Sequence, residues 1–530
     1  MMKKLYPLYL LLLLPLLSFG QTRYLDEVFT DVSTQSGVTY GVNATVLYYS
    51  LFNQAVPEAL KLDVYTPDGD TETARPLILY FHTGNFLPFR NPANPAELGF
   101  NGSCGGERSD SAAVEMCTRL AKMGYVVASV DYRLGWNPLA ATDVQRRFGI
   151  INAAYRGIQD ARTAIRYFRK TFEDNGNPYG IDPDKIVVWG QGTGGYLSLT
   201  MNSLDNYLKI PLATNGKFVY DHDADPMTPP IPMVIEGING DIYGTSVGIN
   251  PADGDTLCMP NHVGYSSDYA LGVNLGGAHA DSSWVDPGQT PIISFAVPTD
   301  NFAPYSEGVV NVPGTNLQVI TTQGSYLIQK ENEAQGNQDP IVNAGITFDL
   351  AAEQAAAFAA SPPDVQEPYA GLYPFNQPDK PGSPGIPVTV APWEWTSFAG
   401  VNPADPCNQD GNSARIYIDT IMRFYAPRAC FVLELDDCIS TLTGLDILPD
   451  AEVGLNAFPN PATDFMVLTS DTNHPMREIK LYDEMGRLLQ VIPNIQTSTY
   501  TLTKGQLQSG RYIALIQFDH GTAVRKLIFQ

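Results

Sequence analysis

Between residues 60 and 200 the apolar positions follow two rhythms in turn. Leu60–Tyr65 alternates with the period of a strand and stops at a Pro67-Asp68-Gly69 turn. Leu77–Phe81 and Tyr125–Val130 are short, wholly apolar runs, the pattern of strands buried on both faces. Between them Ala113, Met116, Cys117 and Leu120 recur at helical spacing within Ser109–Lys122, and Gly124 follows as a C-terminal cap. Arg156–Phe172 repeats the helical rhythm through Ile158, Ala161, Ala164, Ile165 and Phe168. Ile186–Trp189 is again a strand; it breaks into a glycine-dense turn, and Tyr196–Thr200 opens another helix. Strands alternating with helices at this spacing predict βαβ units and a mainly parallel sheet. A further β-like run is Thr45–Leu51.

Beyond residue 204 the rhythm loosens. Residues 204–290 and 306–412 are richer in Pro, Gly, Asn and Asp and read as long loops around the carboxyl edge of the sheet, with one helix at Leu350–Ala360. Pro291–Val297 is another buried strand, Ala414–Tyr425 a closing helix, and Ala429–Leu435 follows it. Residues 439–453 form a linker. Residues 454–530 change to short alternating strands with Gly turns: Phe465–Thr469, Glu478–Tyr482, Tyr500–Leu502, Tyr512–Phe518 and Ala523–Phe529, the pattern of a small β-sandwich.

Composition narrows the setting. The chain has 530 residues, 44% of them apolar, enough for a large domain with accessories. Its formal net charge of −24 argues against nucleic-acid and anionic-lipid partners. Lys3 and Lys4 precede an apolar run, Leu5–Leu17, broken by Pro7 and Pro15, and Ser18-Phe19-Gly20 supplies small residues before Gln21. Residues 1–20 are therefore expected to be a secretory signal, and no later stretch has the length of a membrane span. Six cysteines, Cys104, Cys117, Cys258, Cys407, Cys430 and Cys438, fit an oxidising compartment and three bridges, with Cys104–Cys117 and Cys430–Cys438 as the local pairs. No C-x-x-C pair points to a thiolate zinc site, and neither a metal nor a cofactor is expected.

The chemistry centres on Gly190-Gln191-Gly192-Thr193-Gly194. A strand, a sharp turn and a helix in this order form a nucleophile elbow, G-x-S-x-G, and Gly192 stands at the serine's position. Around it, blocks in order resemble secreted carboxylesterases of the α/β-hydrolase superfamily: Leu60–Pro67 as the early strand, His82-Thr83-Gly84-Asn85-Phe86 where these enzymes carry H-G-G-G-F, Val126–Leu134 ending in Y-R-L, Gln159-Asp160-Ala161-Arg162, and Gly180–Ile186 leading into the elbow. The resemblance implies a doubly wound, mainly parallel α/β-hydrolase sheet over residues 21–438. It places Asp300, in the loop after Pro291–Val297, at the triad acid's position, and it makes His82, Gly84, Asn85 and Thr193 the oxyanion loop and pocket, with His82 holding the loop in shape.

Histidine is the missing member. In this fold the triad runs Ser, then Asp or Glu, then His. Of His82, His222, His262, His279, His474 and His520, only the last two follow Asp300, and both lie in the terminal β module. His279 is the alternative base, from a loop before the acid's strand. Losing the nucleophile or the base alone costs such an enzyme roughly a million-fold in turnover. Backbone N–H groups near Gly84, Asn85 and Thr193 need no particular side chain, so a carbonyl pocket can outlast the attacking group. Asp221-His222-Asp223-Ala224-Asp225 lacks the glycine and terminal glutamate of an EF-hand and reads as a solvated acidic turn; Trp393-Glu394-Trp395 reads as loop packing that can line a pocket.

A second resemblance covers residues 454–530. Asn456–Phe465, Ile479–Leu488, Leu507–Leu515 and the terminal Lys526–Gln530 match, in order, the blocks of type IX secretion sorting domains. This implies export across the outer membrane of a Bacteroidetes-type bacterium by the type IX machinery, to the medium or the cell surface. Two functional readings follow. In one the hydrolase fold has lost ester hydrolysis and binds a small ester or glycan, or a partner, through the old pocket; in the alternative it is an active ester hydrolase with displaced catalytic residues.

Overall fold

The computed structural model describes residues 22–87, 105–213, 216–223, 225, 227–312, 315–346, 349–359, 368–376, 379–380, 383–387, 391–395, 410–435, 438–439, 442, 448–483, 488–519 and 521–530. The expected signal segment, Cys104, Cys407 and His520 lie outside them.

Eight strands build the central sheet: β1 (Val32–Thr45), β2 (Val56–Pro67), β3 (Arg75–Phe81), β4 (Val126–Val130), β5 (Ile181–Gln191), β6 (Leu271–Leu275), β7 (Ile292–Ala296) and β8 (Leu372–Pro374), in the order β1-β2-β4-β3-β5-β6-β7-β8. The β1–β2 and β2–β4 pairs are antiparallel; the other neighbours run parallel. The wholly apolar runs are explained by burial on both faces. Along β3, Ile78 and Tyr80 enter one core with Met116, Trp189, Phe295 and Tyr425, while Leu77, Leu79 and Phe81 enter the other with Ile158, Phe168 and Leu197. Helices α1 (Ser111–Lys122) and α4 (Gly411–Val432) cover the first face, α2 (Asp143–Asp174) and α3 (Thr193–Ser203) the second.

Several elements differ from the sequence expectation. The run Thr45–Leu51 is not a strand: β1 ends at Thr45, and Tyr49–Phe52 is a short helix with no buried residue. β6 lies inside a region read as loop. Its sequence, L-G-V-N-L, hides a buried strand behind two poor strand formers, and Asn274 is fully buried yet satisfied by donating to Ser325 Oγ at 3.0 Å and accepting from Gly277 N–H at 2.8 Å. β8 has only three residues. α2 starts thirteen residues before the expected Arg156 because Thr142 and Gln145 form a capping box and because its early buried positions include Arg146 and Asn152, which an apolar-stripe search does not see. α4 runs on through the segment expected as a separate element.

The arginines of the Y-R-L and Q-D-A-R blocks are structural. Arg133 and Asp160 pair at 2.9 Å with both side chains shut off from solvent. Arg162 donates to the carbonyls of Leu204 and Ile242, each at 2.6 Å, and Arg166 to that of Tyr243 at 2.7 Å, tying the loop over α2.

Cys430 and Cys438 are bridged, as their spacing suggested. The expected Cys104–Cys117 bridge is not borne out on its described side: Cys117 and Cys258 are buried free thiols. Cys117 lies on the inward stripe of α1, packed in the core with Met116 and Leu120, so the apolar spacing that identified the helix also turns the thiol away from the surface.

The C-terminal residues form a three-stranded sheet (Asn456–Phe458, Phe465–Thr469, Thr499–Thr503) and a four-stranded one (Leu488–Ile492, Glu478–Asp483, Gly510–Phe518, Gly521–Phe529), all antiparallel. They share a core of Met466, Leu468, Ile479, Leu481, Ile516 and Leu527, the expected sandwich. Among the described residues no helix is long and apolar enough to cross a membrane.

Candidate active-site cavity

β5 ends at Gln191, α3 begins at Thr193, and Gly192 between them holds φ 54° and ψ −113°. The sharp reversal brings strand and helix backbones together. A Cβ on Gly190 would meet Gly194 O at 1.9 Å, and one on Gly194 would meet Phe81 O at 2.1 Å, so both flanking glycines are required by close approach. The elbow anticipated from the sequence is present with its full bend.

The space a side chain at residue 192 would fill is occupied. A Cβ built on Gly192 would lie 1.9 Å from Thr83 Oγ1 and 2.5 Å from Thr83 Cβ. The Thr193 N–H, expected to serve a carbonyl oxygen, instead donates to Thr83 Oγ1 at 3.3 Å. Thr83 is fixed by its own backbone: its N–H donates to Gly105 O at 3.0 Å, and its carbonyl accepts from His82 Nδ1 at 2.6 Å. The Thr193 hydroxyl donates to Tyr132 Oη at 3.0 Å, which donates to His82 O at 2.8 Å, a structural role.

His82 sits beneath this loop, with its Nδ1 hydrogen-bonded to the Thr83 carbonyl. Its ring stacks on Tyr132 with centroids 4.7 Å apart, and burial lowers its pKa against the opposing pull of Asp131, leaving it neutral. The loop it supports carries positive φ at Gly84 (115°), Asn85 (60°) and Phe86 (56°). For the last two this costs on the order of 1–3 kcal/mol each. Trp136 Nε1 donating to Asn85 O and Gly135 N–H donating to Phe86 O, both at 2.8 Å, hold the conformation.

Asp300 follows β7. Its Oδ1 accepts from the N–H groups of Phe302 at 2.7 Å and Ala303 at 3.1 Å, the arrangement of a loop-capping carboxylate. Burial nevertheless pushes its carboxyl up to about 6, against those two hydrogen bonds. Glu394 lies beyond β8, downstream of Gly192 and Asp300 in the chain. It is 6% exposed; its Oε1 accepts from Gln191 Nε2 at 3.0 Å, and Gln191 Oε1 accepts from Tyr80. Burial is the largest cause raising Glu394 to about 8, opposed by the Gln191 hydrogen bond and helped by Asp110 and Asp300.

Thr83, Gly84, Asn85, Gly192, Thr193, Asp300 and Glu394 line one cavity of about 660 Å³. Its remaining wall is largely apolar, with Phe86, Trp136, Ile151, Ile158, Phe218 and Trp284 prominent. The structure does not bring His279 to it. That ring is fully buried behind the wall; its Nδ1 accepts from Asp281 N–H at 3.0 Å, so its Nε2 carries the hydrogen and donates to Ser203 Oγ. Burial lowers its pKa to about 3. A ring that donates to the serine cannot take that serine's proton. The acidic turn is exposed: Asp221, His222 and Asp223 can offer ligand atoms within 4.8 Å of one another, while Asp221 and Asp223 accept backbone N–H groups of their own turn.

Two residues of the site were not singled out from sequence. Thr83 was legible only as the non-glycine second residue of H-T-G-N-F. Glu394 was legible as the one carboxylate between two tryptophans downstream of the acid, but without β8 located its chain position had no meaning.

Comparison with known proteins agrees with this architecture. Residues 99–225 match the BD-FAE family model, and residues 456–530 match the secretion system C-terminal sorting domain. The chain is 28% identical over 108 residues to Gut esterase 1 of Caenorhabditis elegans, covering 19% of this chain and 17% of that protein. It is 24% identical over 216 residues to Secreted lipase 5 of Gibberella zeae, covering 39% and 31%. It thus spans less than a third of either curated relative. Among solved structures, Thermogutta terrifontis esterase 2 phosphorylated by paraoxon is similar at 15% identity and a TM-score of 0.31, over 68% of this chain and 88% of that one. The sorting domain marks the chain for secretion or the cell surface and for contact with the secretion machinery. The chain carries an esterase- and lipase-like α/β-hydrolase domain that matches BD-FAE over residues 99–225, and a secretion system C-terminal sorting domain over residues 456–530.

Proposed function

We propose that this is a secreted α/β-hydrolase-fold protein that binds a ligand in its elbow cavity without hydrolysing it. One observation carries the reading: the Thr83 side chain fills the place of the absent nucleophile at Gly192 and takes up the Thr193 N–H. No histidine lines the cavity among the described residues, and Glu394 is a carboxyl that keeps its proton up to about 8. The cavity is a largely apolar site of drug-molecule size with a few polar groups in its lining, the usual form of a binding pocket.

The purified protein is expected to leave p-nitrophenyl acetate and butyrate unhydrolysed above a heat-treated control, and to resist a serine-directed fluorophosphonate. The same observation favours a second reading, since Thr83 also sets a hydroxyl near where a nucleophile would stand. Ester turnover, with a phosphonate adduct found on Thr83 by peptide mass spectrometry, would replace the first reading with the second.

A further inference from the structure

The cavity's charges are all of one sign. Among the described lining residues the carboxyls of Asp300 and Glu394 and the phenols of Tyr155 and Tyr196 are the ionisable groups; none is Lys, Arg or His. Each carboxyl is half satisfied. Asp300 Oδ1 and Glu394 Oε1 hold the hydrogen bonds already described, while Asp300 Oδ2 and Glu394 Oε2 take none among the described residues. Glu394 is more than nine-tenths buried, and Asp300 is densely surrounded by protein and accessible only in part.

Two such groups in one low-dielectric pocket call for a countercharge. Ionised, they repel each other and lack a cation; protonated, they forgo the strongest hydrogen bonds a carboxylate can make. An ammonium group supplies a positive charge and three N–H donors for the unused oxygens. A carboxylate head would meet the same repulsion as the pair itself. A neutral hydroxyl brings one donor and no charge. The rest of the wall sets the tail: Ile150, Ile158, Leu204, Ile210 and Val234 are apolar, and the indoles of Trp136 and Trp284 tolerate a cation as well as a hydrocarbon.

We propose that the cavity takes an amphiphilic amine, its ammonium head held between Asp300 and Glu394 and its hydrocarbon tail along the apolar wall. This rests on the reading of the cavity as a binding site and names its ligand class. Binding supplies the two carboxyls with a countercharge, and it releases the proton that Glu394 carries in the free protein.

The groups facing the head are Gln191, Asp110 and Asp300 around Glu394, and Tyr196 near Asp300. Glu394, held protonated up to about 8, is the group that changes charge between pH 6 and 9, so amine affinity should rise over that range while the affinity of a neutral analogue stays level.

The test compares octylamine, octan-1-ol and octanoate by calorimetric titration of the full chain, with indole fluorescence as a second readout. Octylamine should bind at least tenfold tighter than octanol at pH 8, octanoate should not bind, and proton release should appear in buffers of different ionisation enthalpy. E394Q should remove the preference for the amine and keep octanol binding. D300N, a separate replacement, should do the same in part and covers the case in which E394Q does not fold. Equal or tighter binding of octanol, an amine preference untouched by both variants, or no amine binding at all overturns the ligand class. If octanol binds better and esters remain uncleaved, the binding reading survives without it; if p-nitrophenyl esters are turned over, the binding reading is what has failed.

Discussion

Restoring the serine should damage this protein. At Gly192 the new Cβ would sit 1.9 Å from Thr83 Oγ1 and 2.5 Å from Thr83 Cβ, and the second contact cannot be relieved by rotating a side chain because Thr83 Cβ is fixed to the backbone. Overpacking of this kind costs about 1–3 kcal/mol. The φ of 54° adds on the order of 1–3 kcal/mol for a residue with a Cβ. G192S alone should therefore lose about 2–6 kcal/mol. T83G removes the obstruction. By itself it loses a buried methyl and gains unfolded-state freedom, about 1–2 kcal/mol together. In the double variant the clash disappears and only the backbone strain remains, so the cycle should show a favourable coupling of about 1–3 kcal/mol. Equilibrium urea denaturation of all four proteins, compared at constant slope, measures this directly. A G192S protein as stable as the parent, or a cycle additive to within about 0.5 kcal/mol, would show that Thr83 does not fill the nucleophile's space.

Two further outcomes follow from buried charge. The unfolded chain releases the Glu394 proton near 4.5 and the folded chain holds it to about 8, so stability should be greatest below about pH 4.5 with respect to this group and decline by a few kcal/mol as pH rises to about 8. Asp300 declines in the same sense up to about 6, so E394Q, followed by denaturation midpoints from pH 5 to 9, should flatten the upper part of the curve, and an unchanged slope would refute the assignment. D160N leaves Arg133 charged and shut off from solvent, and should cost about 3–5 kcal/mol by the same denaturation measurement; a loss under 1 kcal/mol would mean the pair is not the internal tie described.

The parts of the fold that the sequence revealed are those where one physical rule acts alone. β3, β4 and β5 are buried on both faces and read as apolar runs; α1 has a clean inward stripe and an aspartate cap. Where polar groups are buried and satisfied by one another, the pattern fails. β6 carries Gly272 and Asn274, and the start of α2 carries Arg146 and Asn152, each held by hydrogen bonds to residues distant in the chain. The cavity follows the same division. Gly192, Thr193, Gly84, Asn85 and Asp300 line it and sit in local motifs, whereas His279 lies outside the lining with its ring held to Ser203, 76 positions away.

The persistence of the bend needs a reason independent of the serine. In an esterase the strained turn exposes a nucleophile. Here Gly190 and Gly194 are locked by backbone contacts under 2.2 Å for any added Cβ, so the turn is also the only way β5 can pass into α3 beneath Phe81. Relaxing it would separate α3 from the sheet and expose Leu197, which is fully buried against the second core. Burial of one leucine is worth about 1.5–3 kcal/mol, and the helix contributes more such residues than that one. The elbow therefore stays sharp on packing grounds alone. With the bend fixed and no side chain at residue 192, the space above it is open to whatever its neighbour presents, and Thr83 enters it and takes up the Thr193 N–H. On the proposed reading these features belong to one arrangement: with Thr83 seated above Gly192 no room is left beside Thr193 for an acyl intermediate, and Glu394 adds a buried carboxyl to the same cavity.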